Sequence, residues 1–173
     1  MKNFILKLTI PLALMFFIVL ASCRKNNETV LTQPVQINLT LKETTLVNSE
    51  NSFAFDIFSK VLSQTGDVNT IISPLSISYA LSMTVNGAAN STRDSILKAL
   101  RVSDISMADM NKSYKNLTAS LLSVDSRVIM DIANSVWTEK NFSVKVPFSD
   151  TLTNYYNAQA RSFDITDYNV PQI

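Results

Sequence analysis

The spacing of apolar residues first indicates a helix that begins near Ser49. Apolar positions recur there at offsets of one, three and four, which predicts a helix with one buried face. Ser49 or Asn51 is a suitable N-cap residue, and Gly66-Asp67 marks the end. The buried face should comprise Phe53, Ala54, Ile57, Phe58, Val61 and Leu62.

A short β-branched run at residues 70–72 predicts a strand, and a second helix follows it directly. Ser73 suits the N-cap position and Pro74 the first helical position, where its missing N–H is not needed. Residues 75–86 are apolar on nearly every side, which is typical of a buried helix. Gly87 stands where a C-terminal cap is expected.

The remaining pattern alternates between helical and extended periods. A third helix, capped by Asn90 or Ser91, is followed by a fourth. A fifth helix lies between two segments in which every second residue is apolar, a pattern typical of strands. The predicted helices span residues 92–100, 109–123 and 147–156, and the predicted strands span 127–138 and 158–164. This order indicates an α+β fold. Because the pattern offers neither strand a partner, the domain is expected to be incomplete.

The N-terminus has the pattern of an export signal. Lys2 and Lys7 precede an uncharged apolar stretch at residues 8–20, and Ala21-Ser22-Cys23 closes it. This pattern resembles the bacterial lipobox, in which small residues fit the peptidase and the cysteine thiol receives lipid. Residues 1–22 are therefore predicted to be a lipoprotein signal peptide, with lipid on Cys23. The alternative is a membrane helix that happens to end near a cysteine.

The segment after this signal is polar and irregular, so residues 23–48 are predicted to be a flexible tether and residues 49–173 the folded part. Cys23 is the only cysteine, so once lipidated it leaves no thiol for a disulfide or for catalysis. The expected location is the bacterial cell envelope, either periplasmic or surface-exposed. We expect the protein to bind the membrane through the lipid on Cys23.

The composition argues against several classes of function. The chain contains no histidine, and thus lacks the usual general base and the commonest metal ligand. Its two glycines are too few for a phosphate-binding loop, and the net charge of +1 gives no reason to expect nucleic acid. Asp and Glu are scattered rather than clustered. We therefore expect no catalytic residues, no metal site and no cofactor.

Three blocks of sequence together resemble the serpin family of protease inhibitors. They are NSFAFDIFSKVL, NTIISPLSISYALSMTVNGAANSTRDSILKAL and ANSVWTEKNFSVKVPFSDTLTNYYNAQARSFDIT. Their order agrees with the front of that fold, and the resemblance covers roughly residues 49–173. It implies that residues 127–138 belong to the large sheet of the family and residues 158–164 form its edge strand.

The resemblance implies suicide inhibition of a serine or cysteine protease. In this family a protease cleaves an exposed loop and becomes acylated, and the cleaved loop then inserts into the large sheet as a new strand. Ser73 and Ser76 match positions beneath the point where that sheet opens. The local alternative is that Ser73 is simply the helix cap and Ser76 its third-position partner.

This sequence departs from the family pattern in one important respect. The reactive-site loop lies near the C-terminus of serpins, and no segment of this chain corresponds to it. No scissile position can be assigned, so the target protease is unknown and the chain alone is expected not to inhibit. The alternative function is a non-inhibitory or inactive truncated serpin-like surface protein.

Overall fold

Five helices and two strands make up the part of the chain that the structure, a computed structural model, describes, namely residues 33–66 and 68–166. They all belong to one compact unit that begins at Pro34. In chain order they are α1 (Leu41–Thr65), α2 (Pro74–Gly87), α3 (Asn90–Ala99), α4 (Met107–Ser123), β1 (Asn134–Glu139), α5 (Val146–Tyr156) and β2 (Ala158–Phe163). None of the helices in the described ranges is both long and apolar enough to span a membrane.

Helix α1 begins at Leu41, eight residues before the predicted start at Ser49. Thr40 caps it, because its hydroxyl accepts from the backbone N–H of Glu43 while the Glu43 side chain accepts from the backbone of Thr40. This capping box fixes the helix start. Residues 41–48, predicted to belong to the tether, are therefore helical. The end at Gly66, with φ of 66°, agrees with the prediction.

Helix α2 begins as its sequence predicts, with Ser73 as N-cap and Pro74 in the first turn. Its exposed residues, Ser76, Ala80, Thr84 and Gly87, form one narrow stripe, and the other residues of the helix are buried or half-buried. The prediction of a buried helix therefore holds except along this stripe. Gly87 is the last helical residue, and a Cβ at this position would lie 2.9 Å from the ring of Phe148.

Two further helix starts differ from the predictions. At α3 the cap position is Ala89, which makes no side-chain hydrogen bond, so the predicted caps Asn90 and Ser91 are both wrong. Asn90 is instead the first helical residue and has a φ of 51°. Helix α4 begins two residues earlier than predicted, because Ser106 caps it by accepting from the backbone N–H of Asp109.

The strands form a parallel pair, joined through α5, in which Asn134 lies beside Ala158 and Glu139 beside Phe163. The expectation that neither strand has a partner is thus wrong. Residues 70–72 and 127–133, predicted to be extended strands, have no regular structure. Regular extension requires a hydrogen-bonded neighbour, and in the described residues these segments pair with no strand; Ile71 and Ile129 are 98% and 93% exposed.

The core lies around α2 and α4, against which both α1 and α5 pack, and it includes Leu46, Tyr79, Leu100, Tyr114 and Leu152. The rings of Tyr79, Tyr114 and Tyr156 pack against one another, with centroids 4.9 to 6.3 Å apart. Burial of these rings and of the aliphatic side chains provides the main stabilisation of the unit.

Candidate functional site

The start of α2 brings together the two serines that the sequence singled out. The Ser73 and Ser76 hydroxyl oxygens lie 2.8 Å apart, and the backbone N–H of Ser76 donates to Ser73 Oγ over 3.4 Å. This is the geometry of a helix cap and its third-position partner. The local interpretation of the two residues is thus confirmed, while a role in opening the sheet stays a prediction.

A cavity of about 570 Å³ lies between this end of α2 and the segment that leads into β1. The two serines lie on its α2 side, and residues 130–135 form the other side. Its lining residues are Ser73, Leu75, Ser76, Tyr79, Ala80, Met83, Met130, Asp131, Ile132, Ala133, Asn134 and Ser135. The hydroxyls of Ser73 and Ser76 therefore face the approach to the predicted large sheet rather than the helical core.

A buried carboxyl group connects three of the helices. Glu50 on α1 is 8% exposed, and each of its two oxygens contacts one hydroxyl group. These are the hydroxyl of Ser78 on α2, at 2.5 Å, and the hydroxyl of Tyr114 on α4. Burial raises the pKa of Glu50 above its ordinary value, and these two hydrogen bonds oppose that effect only in part.

Two further polar contacts extend this cluster. The hydroxyl of Tyr79 contacts that of Thr118, and Tyr156 donates to Asn111 Oδ1 over 2.7 Å. Asn111 and Asn86 exchange two side-chain hydrogen bonds of 2.8 and 3.0 Å. Burial raises the pKa of Tyr79 and Tyr156, so both hydroxyls stay neutral and can donate.

A second buried glutamate has the opposite electrostatic environment. Glu43, near the start of α1, is 7% exposed. Its carboxylate accepts from the backbone N–H of Thr40 and from Asn116 Nδ2, at 2.8 and 2.7 Å. These hydrogen bonds, that of the Thr40 backbone first, lower the pKa of Glu43. Glu43 is thus stabilised as an anion at the positive end of the helix dipole, as expected for a residue in the first turn.

The sequence predictions missed Glu50, although the spacing contained a signal. Leu46, Glu50, Phe53 and Ile57 recur at intervals of four, three and four, so the carboxyl group lies within the apolar stripe of α1. A charged residue at such a position requires buried partners. The structure supplies them from two other helices.

The remaining predicted sites lie elsewhere. Cys23 and residues 1–22 lie outside the described residues, as do residues 24–32 of the predicted tether. Among the residues described, no three His, Cys, Asp or Glu side chains are close enough together to hold a metal ion. Trp137 on β1 and Arg161 on β2 stack across the strand pair, with the guanidinium carbon 5.7 Å from the ring centroid.

Comparison with known proteins gives the fold its context. The family model of Serpin (serine protease inhibitor) matches residues 48–172. Thyroxine-binding globulin of Sus scrofa is 30% identical over 79% of this chain and 33% of its own length. Alpha-1-antichymotrypsin of Homo sapiens is 29% identical over 84% of this chain and 36% of its own length. The chain therefore spans about a third of the length of these relatives.

Solved structures show the same relationship. The chain superposes on human thyroxine-binding globulin with a TM-score of 0.67 and 25% identity, over 73% of this chain and 35% of that one. Cleaved kallistatin gives a TM-score of 0.67 at 23% identity, over 72% and 37% of the two chains, and shares the fold. The predicted serpin-like, incomplete α+β fold is confirmed. The chain belongs to the serpin family, as its three sequence blocks predict.

Proposed function

We propose that this chain is the N-terminal part of a serpin-type inhibitor of serine or cysteine endopeptidases. The observation that carries the proposal is the arrangement at the start of α2 in a chain that matches the family model over residues 48–172. There the Ser73–Ser76 hydroxyl pair faces the approach to β1 across an open cavity of about 570 Å³.

This arrangement suits a sheet that must admit another strand. Small hydroxyls can exchange hydrogen-bond partners with a backbone that moves past them, whereas large apolar side chains would have to repack. In the described part of the chain, β1 pairs only with β2, so its other edge has backbone N–H and C=O groups free for a further strand. In this proposal the chain supplies two neighbouring strands of the large sheet, β1 and β2. A further part of the same protein supplies the reactive-site loop.

The test compares the 173-residue chain with the longest protein that its gene encodes. Each is incubated with trypsin-, chymotrypsin- and subtilisin-like proteases and with a papain-like protease. We expect an SDS-resistant complex with at least one protease for the longer protein and none for the 173-residue chain. A longer protein that every protease either cleaves or ignores, without forming a complex, would refute the inhibitory function.

The alternative is a serpin-like surface protein that does not inhibit. One of the relatives reported above is named for binding thyroxine rather than for inhibiting a protease. Cleavage of the longer protein without complex formation, together with a rise in its thermal stability, favours an inserting but non-trapping serpin. Cleavage without such a rise favours a protein that has lost the transition altogether.

We further propose that lipid on Cys23 holds the protein at the bacterial envelope. The support is the lipobox-like sequence, and the structure alters only the expected length of the tether. Because the backbone N–H of Val35 donates to the carbonyl oxygen of Val124 over 2.7 Å, the segment 23–34 is the longest possible tether. If flexible, its 12 residues reach roughly 17–21 Å on average.

The test of this anchor is metabolic labelling with a radioactive fatty acid in a bacterial host. We expect label in the wild-type chain and membrane association after cell lysis. A Cys23→Ser variant should lose the label and accumulate in the unprocessed form. Equal labelling of both proteins would overturn the proposal.

A further inference from the structure

The cluster around Glu50 has more hydrogen-bond contacts than hydrogens if the carboxyl group is ionised. Ser78 Oγ lies 2.5 Å from Glu50 Oε2 and 2.9 Å from the carbonyl oxygen of Leu75, and Tyr114 Oη contacts Glu50 Oε1. These are three close oxygen–oxygen contacts. The two hydroxyl groups supply only two hydrogens, since serine and tyrosine each have one.

A proton on Glu50 removes this shortage. The carboxylic O–H then donates to Ser78 Oγ, and the Ser78 hydroxyl is free to donate to the carbonyl of Leu75. Tyr114 continues to donate to the other carboxyl oxygen. Each of the three contacts then has one hydrogen, with no change in heavy-atom positions. The heavy-atom geometry thus fits the neutral acid better than the anion.

The surroundings of Glu50 also lack a compensating charge. The groups of the described residues that act on this carboxyl group are the hydroxyls of Ser78 and Tyr114 and, through space, those of Tyr79 and Tyr156. Tyr79 is on α2, Tyr114 on α4 and Tyr156 on α5, and all three are neutral at physiological pH. A buried carboxylate without a cationic partner is unfavourable, and protonation is the usual response.

We propose that Glu50 is a neutral carboxylic acid in the folded chain and acts as a proton-dependent latch that fastens α2 to α1 and α4. Ser78 is two residues beyond Ser76, on the helix that carries the Ser73–Ser76 pair. The latch therefore controls how firmly the helix that carries this pair is held. Rising pH removes the proton and weakens the attachment, while the helices and their apolar contacts remain.

The direction of the effect follows from linkage. Because the pKa of Glu50 is raised on folding, its favourable contribution is complete below the pKa of a free glutamate, about 4.3. It is lost as the pH rises through the folded-state pKa. The chain should therefore become less stable from mildly acidic toward alkaline pH, opposite to the contribution of Glu43, whose pKa is lowered.

The test is a carbon NMR titration of the full chain labelled at the glutamate carboxyl carbon. The chain contains four glutamates, at positions 28, 43, 50 and 139, so few signals appear. We expect one signal to titrate well above the value of about 4.3 for free glutamate and to disappear in the Glu50→Gln variant. Four signals that all titrate at or below that value would overturn the proposal.

Two further variants show whether the titration at higher pH belongs to Glu50 or to any glutamate with a buried side chain. Glu43→Gln removes a carboxylate with a similarly small exposed fraction but a lowered pKa. It should delete a signal that titrates at low pH and leave in place the signal that titrates at higher pH. If Glu50→Gln fails to fold, Tyr114→Phe identifies the signal instead. Loss of this donor to the carboxylate should move the late titration to still higher pH.

A stability measurement tests the consequence of protonation. As the pH rises above about 4.3, the pKa of a free glutamate, the urea midpoint of the wild-type chain should fall, whereas Glu50→Gln should remove most of that decline. Glu43→Gln should leave the decline in place. A decline of equal size in the wild type and in Glu50→Gln would show that other groups cause it and would overturn the latch.

Discussion

Ser73→Ala tests the structural role of the serine pair, which is to cap the start of α2. Replacement of an N-cap serine by alanine costs about 0.5–2 kcal/mol. The cap bond of Ser73 is 3.4 Å long, near the limit for a hydrogen bond, whereas that of Ser106 at α4 is 3.1 Å. We therefore expect Ser73→Ala to cost about 0.5–1 kcal/mol and Ser106→Ala more, about 1–1.5 kcal/mol.

The assay is urea unfolding of the full chain followed by circular dichroism. With a denaturant slope of about 1.5 kcal/mol/M, Ser73→Ala should lower the midpoint by about 0.3–0.7 M. Ser73→Asp keeps an acceptor and adds a charge that the helix dipole favours, so its midpoint should match the wild type. If Ser73→Asp destabilises as much as Ser73→Ala, the capping argument is refuted.

Three further predictions concern packing and charge. Leu46→Ala should cost about 2–5 kcal/mol in urea unfolding because Leu46 is fully buried, whereas the exposed Leu41→Ala should change stability by no more than about 0.5 kcal/mol. Gly87→Ala should lower the urea midpoint although alanine favours helices, because its Cβ would meet the ring of Phe148 at 2.9 Å; a rise in the midpoint would show that the ring moves freely. Hydrogen bonds from the side chain and backbone of Arg127 lower the pKa of Asp125 to about 2. The stability that the Asp125–Arg127 pair contributes should therefore be lost only as the pH falls from about 4 to about 2. Asp125→Asn should remove that part of the acid dependence in an acid titration followed by circular dichroism, and an unchanged acid profile would contradict this prediction.

The helices were the most predictable part of the fold. The start of α2 follows from Ser73 and Pro74 alone, because capping and the missing proline N–H act within one turn. The start of α1 was also readable, since Thr40 and Glu43 form a capping box, but it lies in a segment whose polar composition suggested a tether. The capping interactions of two residues thus determine where α1 begins, whereas the average composition of the segment wrongly indicated a flexible tether.

Features that depend on distant residues could not be predicted in the same way. The hydroxyl groups that make Glu50 tolerable in the core lie 28 and 64 positions further along the chain. Similarly, residues 127–133 have an alternating pattern but no ladder, because periodicity shows which side of a strand would be buried and not whether a neighbour is present. The pairing of β1 with β2 depends on the path of the chain through α5.

The three helices joined at Glu50 have a consequence for the order of folding. All of them lie before residue 124, and both described strands come later in the chain. Because a chain emerges with its N-terminal part first, from the ribosome or from an export channel, α1, α2 and α4 can assemble before β1 and β2 emerge. Substitutions that loosen these helices should therefore reduce the amount of protein that reaches the folded state, before any effect on protease trapping can be observed.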